Sequence, residues 1–482
     1  MTVDTARHVT DHHRVGDPLA EAVRREVAEY DYPAHTWPVR RREAEQDVLD
    51  VLVVGAGQAG LTAAFRLHRE GIRNIEVVDA AERGREGPWV TWARMETLRT
   101  VKTLHGTESG IRAASFRSWY EHRFGAGAYT ELDLIPRETW MEYLEWLRDA
   151  TGITVSSRTA VTSIRPHGRR WLVTLSGPDG PRTVITRKVL ACTGLNGAGG
   201  GQVPDVLAGL PEGSWAHSSD EIDLQSLRGR RVAVIGIGAS AFDNAAAALE
   251  HGAARVVQVG RRRTLPPLNS LRHLESKGMF RSFSALPDEL RLEFKRAELA
   301  LAMPPPAHSV DRCRRFENYS LLLGAGVEGA TATDDGIVLS TPRGPFTVDF
   351  VITATGFRVD LGRVRWLAEV ADRITVWGDR HDLTASSVDR FIARCPYLGP
   401  GASCVPKDPA DVALTNLHLL NGAAQVSYGP AAIGLNGLPW MADHVVHSIA
   451  RDLFVEDGAD LLATFTESTR TDRHLEPPGT VQ

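Results

Sequence analysis

The sequence predicts an α/β protein with two Rossmann-like dinucleotide-binding domains, the second inserted in the first. Three observations predict it. Two stretches, "DVLDVLVVGAGQAGLTAA" (Asp47–Ala64) and "VAVIGIGASAFD" (Val232–Asp243), each run from an apolar strand through a glycine-rich turn into a small-residue helix. Elsewhere short β-branched runs alternate with helical stretches, the pattern of parallel α/β units. The 482 residues also suffice for two or three domains with sizeable cores.

Taken in order, residues 1–46 read as an N-terminal helical extension. Asp17 is placed as an N-cap and Pro18 at the first helical position of "DPLAEAVRREVAEY", and "YPAHTWP" ends that helix. Residues 47–204 form the first part of the first dinucleotide domain. "NIEVVDA" (Asn74–Ala80) is its second strand, "PRETWMEYLEWLRDATG" (Pro136–Gly152) an amphipathic helix ended by glycine, and "KVLACTG" (Lys188–Gly194) a buried strand. The glycines of "AGGGQVP" mark a boundary near 197–204. Residues 205–348 form the second domain, with "RVVQVGRRR" (Arg255–Arg263) as a strand and a less regular, proline-rich insertion after it. "DFVITATGF" (Asp349–Phe357) reads as the return to the first domain, which runs to 455 and closes with a helix over "LPWMADHVVHSIARDLF"; 456–482 is a tail.

In the first turn Gly55, Gly57 and Gly60 fit G-x-G-x-x-G directly after a strand. Gly55 permits the turn, Gly57 lets backbone approach a pyrophosphate, and Gly60 lets helix and sheet pack closely; Gln58 and Ala59 complete the cofactor-binding turn at the helix start. Asp79 ends the next strand, where a carboxylate bonds ribose hydroxyls. The second turn has Gly236, Gly238 and Ala241, with Ser240 placed to bond a pyrophosphate at the helix start. Its next strand ends in Arg261 and Arg262 rather than an acid, and arginines bind a 2′-phosphate that a carboxylate would repel. The first site therefore reads as FAD and the second as NADPH, the alternative for the arginines being a solvated strand end.

Two dinucleotides in one chain imply hydride transfer from nicotinamide to flavin. Cys192, Cys313, Cys395 and Cys404 form no C-x-x-C, so neither a disulfide reductase nor a metal knuckle is indicated, and no metal is expected. No haem or iron–sulfur motif offers another acceptor, which leaves O2. The formal net charge of −5 does not point to nucleic acid, and no apolar run nears the ~18 residues of a membrane span. A cytoplasmic setting is expected, and a homodimer is compatible with the sequence.

"GAGQAG", "GSWAHSS", "GIGASA" and "TATGF" together resemble the class B flavin monooxygenases, over most of 47–455. The resemblance implies FAD reduced by NADPH, a C4a-hydroperoxyflavin formed with O2, and oxygen transfer to a small amine. It assigns Gly356 of "TATGF" to the cofactor. Gly213 and His217 match the G-x-x-x-H of the family signature, but Pro211 and Glu221 stand where aromatics are expected, which favours heteroatom oxygenation over Baeyer–Villiger chemistry. His217 then has either a role in the catalytic cycle or that of a linker histidine. The segment "GPWVTWARMETLRTVKTLHG" (Gly87–Gly106) resembles the flavin cover: Trp89 is expected beside the cofactor, with Thr100 and Lys102 at the flavin edge, unless the segment is a surface loop. "AAQVSYGPAAIGLNGLPW" (Ala423–Trp440), with Gly434, would let backbone approach the flavin pyrimidine end.

For the substrate, Asn269, Arg272, His273 and Lys277 in the insertion either clamp carboxylates or are ordinary surface charges. Similarity to a branch that oxidises aspartate to nitrosuccinate makes L-aspartate the expected amine. The alternatives are a Baeyer–Villiger or sulfur monooxygenase, a leaky NADPH oxidase, and a non-catalytic nucleotide-sensing flavoprotein.

Overall fold

Seven of the nine residues of Gln46–Val54 are buried or half-buried, with an unbroken buried run at its end, as a strand covered on both faces requires. In the computed structural model, which describes residues 16–467 apart from 34, 44 and 105, this strand is central to the first sheet. It pairs in parallel with Ile75–Val78 on one side and with the long strand Gly180–Gly194 on the other. Val155–Ser156 extends the sheet past Ile75–Val78, and Leu417–Asn421 joins in parallel on Gly180–Gly194. The long strand serves two sheets' worth of partners. Its first half pairs antiparallel with Arg170–Gly177, which turns back into Ala160–His167, while its second half lies in the parallel part.

The N-terminal extension is docked on this domain. Asp17 caps helix Pro18–Tyr30, accepting the Leu19 N–H at 2.9 Å, and its second oxygen accepts the Trp146 indole N–H at 2.8 Å. Arg41–Glu43 pairs antiparallel with the start of Gln46–Val54, so the sheet begins before residue 47. Residues 1–15 of the extension and 468–482 of the expected tail lie outside the described residues.

The second sheet is wholly parallel, in the order Tyr319–Leu323, Arg255–Gly260, Arg231–Ile235, Phe350–Thr353, Trp215–His217. This corrects the boundary expected at 349. Phe350–Thr353 does not return to the first sheet but pairs with Arg231–Ile235, and the chain rejoins the first sheet only at Leu417–Asn421. Both strands are buried along their length, so local pattern does not say which sheet takes them. A three-stranded antiparallel sheet, Gly329–Thr333, Gly336–Ser340 and Phe346–Val348, packs beside the second sheet. The insertion is largely helical, with Lys277–Ser282, Asp288–Leu301 and Ala307–Arg314.

The tail expected from 456 is also corrected, because one helix runs over Leu438–Glu467. Its distal half is anchored by charge. Asp457 is fully buried and pairs with Arg187 at 2.9 Å and Arg41 at 2.9 Å; Arg187 also meets Asp50 at 3.1 Å. Beside it Lys188 donates to Asn416 at 2.6 Å and pairs with Asp452 at 3.3 Å. Charges this deep are tolerated only when paired and bonded. All four cysteines are free and buried. Among the described residues no helix is long and apolar enough to cross a membrane, and no cluster of His, Cys, Asp and Glu could hold a metal ion.

Candidate active site

The first glycine turn is closed in. Gly55 has φ +101°, and a Cβ there would lie 2.5 Å from the Cys192 carbonyl oxygen; one on Gly60 would lie 1.8 Å from the Gly55 oxygen. Helix Gln58–Arg69 thus starts hard against the strand that precedes it. Gly57 faces Gly87 of the covering segment, with an ideal Cβ 3.8 Å from the Gly87 backbone. Gln58 is buried, donating to Thr107 Oγ1 and accepting from the Trp140 indole, each at 3.3 Å. Ala59 follows it half-buried. Asp79, expected on ribose hydroxyls, braces the turn itself: its carboxylate accepts the Ala56 N–H at 2.7 Å and the Ala81 N–H at 2.8 Å. Trp89 is buried, and its indole N–H finds no partner among the described residues. A glycine-walled cradle at a helix N-terminus with an orphan donor beside it fits the pyrophosphate of FAD.

The second turn is open. Gly236 (φ +135°) is tight, since a Cβ would lie 2.4 Å from the Ala354 oxygen, but a Cβ on Gly238 would meet open space. Ser240 is exposed in the first turn of helix Ala239–Glu250, and Ala241 is buried against the sheet. The arginines divide: Arg261 is exposed, packed past Gly326, whereas Arg262 donates to the carbonyls of Ala300 at 3.0 Å and Leu299 at 3.3 Å. An exposed cradle with Arg261 at its rim fits a 2′-phosphorylated nucleotide.

Two antiparallel crossings join the domains. The Gln202 N–H donates to Gly356 at 2.8 Å, the Arg358 N–H to Gly200 at 3.0 Å, and the Asp360 N–H to Ala198 at 2.7 Å. Gly356 therefore sits in the hinge. So does His217, at the end of strand Trp215–His217. Its Nε2 donates to the Gly356 carbonyl at 3.0 Å, and its Nδ1 accepts the Ser219 N–H at 3.1 Å, with Ser219 Oγ at 2.7 Å. These partners require the neutral Nε2–H tautomer, and burial lowers the pKa in the same sense. Both ring nitrogens are engaged, so this structure gives His217 a positioning place in the hinge rather than a free role in catalysis. The covering segment is pinned across the same junction. Arg94 donates to the carbonyls of Ser218 at 3.1 Å and Asp220 at 2.9 Å, and Arg85 forks onto both oxygens of Glu221 at 2.9 Å.

A large open cavity of about 980 Å³ is lined by Gly106 and Glu108, the two neighbours of the Thr107 that holds Gln58. The covering segment supplies one wall through Lys102, Leu104 and Gly106, helix Phe116–Phe124 another, the insertion Lys277 and Arg281, the approach to the last helix Asn436, and the first turn of that helix Trp440. Lys102 reaches this cavity, but its ammonium donates to the carbonyls of Tyr129 at 2.8 Å, Thr130 at 3.1 Å and Leu132, at the end of helix Ala126–Glu131. It holds the wall. Thr100 lies half-buried before it, not on the cavity wall. Of the expected substrate residues only Lys277 lines the cavity. Arg272 and His273 are exposed elsewhere, and the Asn269 side chain accepts the Leu271 N–H at 3.2 Å. Gly434 is exposed and its carbonyl starts the last helix; Gly437 is the tight position, where a Cβ would lie 2.0 Å from the Ala431 oxygen. Sequence reasoning missed Arg281 and Trp440. The signal for Arg281 is its place four residues after Lys277 on helix Lys277–Ser282.

Known proteins resemble this chain in sequence and share its fold. A family described as FAD-NAD(P)-binding matches residues 52–196. The FAD-dependent urate hydroxylase of Xanthomonas campestris is 36% identical over 91% of this chain and 93% of its own. The fold is shared with an ornithine hydroxylase of Pseudomonas aeruginosa, at a TM-score of 0.67 and 18% identity over 84% of this chain and 100% of that one. It is shared too with the ornithine N-hydroxylase of Kutzneria sp. 744, solved with reduced FAD, NADP⁺ and L-ornithine, at 0.66 and 20% over 84% and 99%.

Proposed function

The chain belongs to the same family as the FAD-dependent urate hydroxylase of Xanthomonas campestris and is an FAD- and NADPH-dependent oxidoreductase of the flavin monooxygenase type, and from that premise we propose that it hydroxylates a small anionic nitrogen compound held in the cationic cavity, urate foremost. The observation that carries this reading is the cavity itself. It is walled by the neighbours of Thr107, the partner of Gln58, and six of its wall residues are cationic against three carboxylates, in a chain of net charge −5.

Bound FAD supplies oxygen activation and NADPH the two electrons, so that substrate, O2, NADPH and a proton give hydroxylated substrate, water and NADP⁺. The chain's own residues bind, orient and exclude water. Trp89 and Gln58 close the first cradle, Asp79 fixes its turn, and Arg94 and Arg85 keep the covering segment against the hinge. No acid–base pair is called for, since positioning and charge stabilisation suffice.

The amine reading, with L-aspartate taken towards nitrosuccinate, also needs cationic anchors, and the fold shared with ornithine hydroxylases favours keeping it in the same assay. Purified FAD-loaded enzyme is given NADPH, O2 and either urate or L-aspartate; NADPH loss and product mass are followed. Urate-dependent NADPH oxidation with one oxygen atom added supports the proposal. Oxygenation of aspartate instead replaces its substrate, and NADPH consumption yielding only hydrogen peroxide with both overturns it.

A further inference from the structure

We propose that Arg281, held on the face of Trp440 with Lys277 one helical turn away, is the specificity anchor of the cavity, and that it selects small anions presenting two coplanar acceptor atoms: a carboxylate or a deprotonated lactam edge. The inference rests on the reading of this cavity as the substrate pocket. The Arg281 guanidinium carbon lies 4.6 Å from the centre of the Trp440 ring. That contact restrains a planar cation and leaves its N–H edges to donate sideways, in the geometry that matches two coplanar acceptors.

Of the six cavity cations, two are paired with carboxylates and Lys102 is held by carbonyls, which leaves Arg112, Lys277 and Arg281; the last two share one helix. Asp443 is paired with Arg66 at 2.7 Å and Glu121 with Arg117 at 2.8 Å, and Glu108 accepts the Gly106 N–H at 2.6 Å. Among the described residues neither Lys277 nor Arg281 has a carboxylate partner. Both project from one short helix at i and i+4. The anchor is also built in advance of any ligand. Met279 and Phe283, on either side of Arg281, pack with Ala431, Phe283 lies against Gly429, and Asn436 donates to Glu275 at 3.2 Å. The helix that carries the arginine is thus fastened to the segment that carries the tryptophan, so little ordering remains for binding to supply.

Calorimetric titration of the FAD-loaded enzyme at pH 7.5, without NADPH, tests this with orotate and uracil, one ring with and without a carboxylate. Orotate is expected to bind at least about tenfold more tightly than uracil. Arg281→Gln should weaken orotate by about ten- to thirtyfold and leave uracil unmoved, and Arg281→Lys should recover only a minor part of the loss, because an ammonium lacks the fork. Trp440→Leu should weaken orotate about fivefold by freeing the guanidinium. The visible flavin spectrum of each variant verifies folding. No orotate binding, equal affinity for the two probes, wild-type affinity in Arg281→Gln, or full rescue by Arg281→Lys overturns the inference. The titration consumes neither NADPH nor O2. An enzyme that binds orotate through Arg281 but oxygenates nothing keeps the anchor and loses the proposed reaction, and the converse separates them equally well.

Discussion

The two glycine turns share a backbone design and differ in what lies over them. At the first, Gln58 is only 7% exposed, Gly87 faces Gly57, and Trp89 seals the side. At the second, Gly238 looks into open space and Ser240 and Arg261 are exposed. The fingerprint therefore sets that a dinucleotide binds, while the cover sets how long it stays. A cofactor under the first cover is expected to stay, and one at the open second turn to exchange. That difference is what a reaction needs when one nucleotide remains and the other arrives with electrons.

The strongest way to break the contrast is at the glycines. Gly60→Ala puts a Cβ 1.8 Å from the Gly55 oxygen and should cost roughly 3 kcal/mol, giving protein that purifies without flavin. Gly238→Ala should keep full flavin content and raise the KM for NADPH no more than about threefold. Equal loss of flavin in both would dissolve the distinction.

Acid tests the buried side next. His418, in the first sheet, is fully buried, donating from Nδ1 to Gly401 at 2.8 Å, and burial pushes its pKa down to about 4. Between that value and the ordinary 6.5 the unfolded chain binds a proton the folded one does not. Its contribution is therefore present above pH 6.5 and lost as pH falls towards 4, on the order of 3 kcal/mol across the window. Melting curves at stepped pH read this, and His418→Asn should flatten the slope. His217 acts in the same direction in the second sheet.

At the open site, Arg261→Ala should raise the KM for NADPH ten- to thirtyfold, about 2 kcal/mol, and leave NADH unmoved. Arg262→Ala should change it only about twofold, its guanidinium being tied to Ala300 and Leu299. Similar effects of the two would place both arginines on the phosphate. The smallest effect is expected from Glu221→Gln. The Arg85–Glu221 pair is solvent-exposed and worth only about a few tenths of a kcal/mol, so stopped-flow flavin reduction should shift by less than about 1.5-fold.

Much of this was legible in the sequence because it is local. The turns and the Asp17 cap declare themselves within a few residues, whereas Asp79, expected on ribose, meets the Ala56 N–H, 23 residues back. What escaped depends on distant partners. Phe350–Thr353 reads as a buried parallel strand in either sheet until its neighbour is seen to be Arg231–Ile235. The last helix continues past 456 because Asp457 meets Arg187, some 270 residues away in the chain. Lys102 looks like a ligand-facing cation until three carbonyls of one helix end take its ammonium. Arg281 is one charge in a charged insertion until Trp440 is found beneath it.

The paired crossings at 198–202 and 356–360 have a mechanical corollary. A single linker is a universal joint, free to bend and to twist. Two strands laced side by side, with Thr355 Oγ1 donating to the Gln202 carbonyl as well, behave as a strap hinge: twist would shear the lacing, and bending about the line between them would not. The lacing thus resists twist between the two domains more than it resists bending.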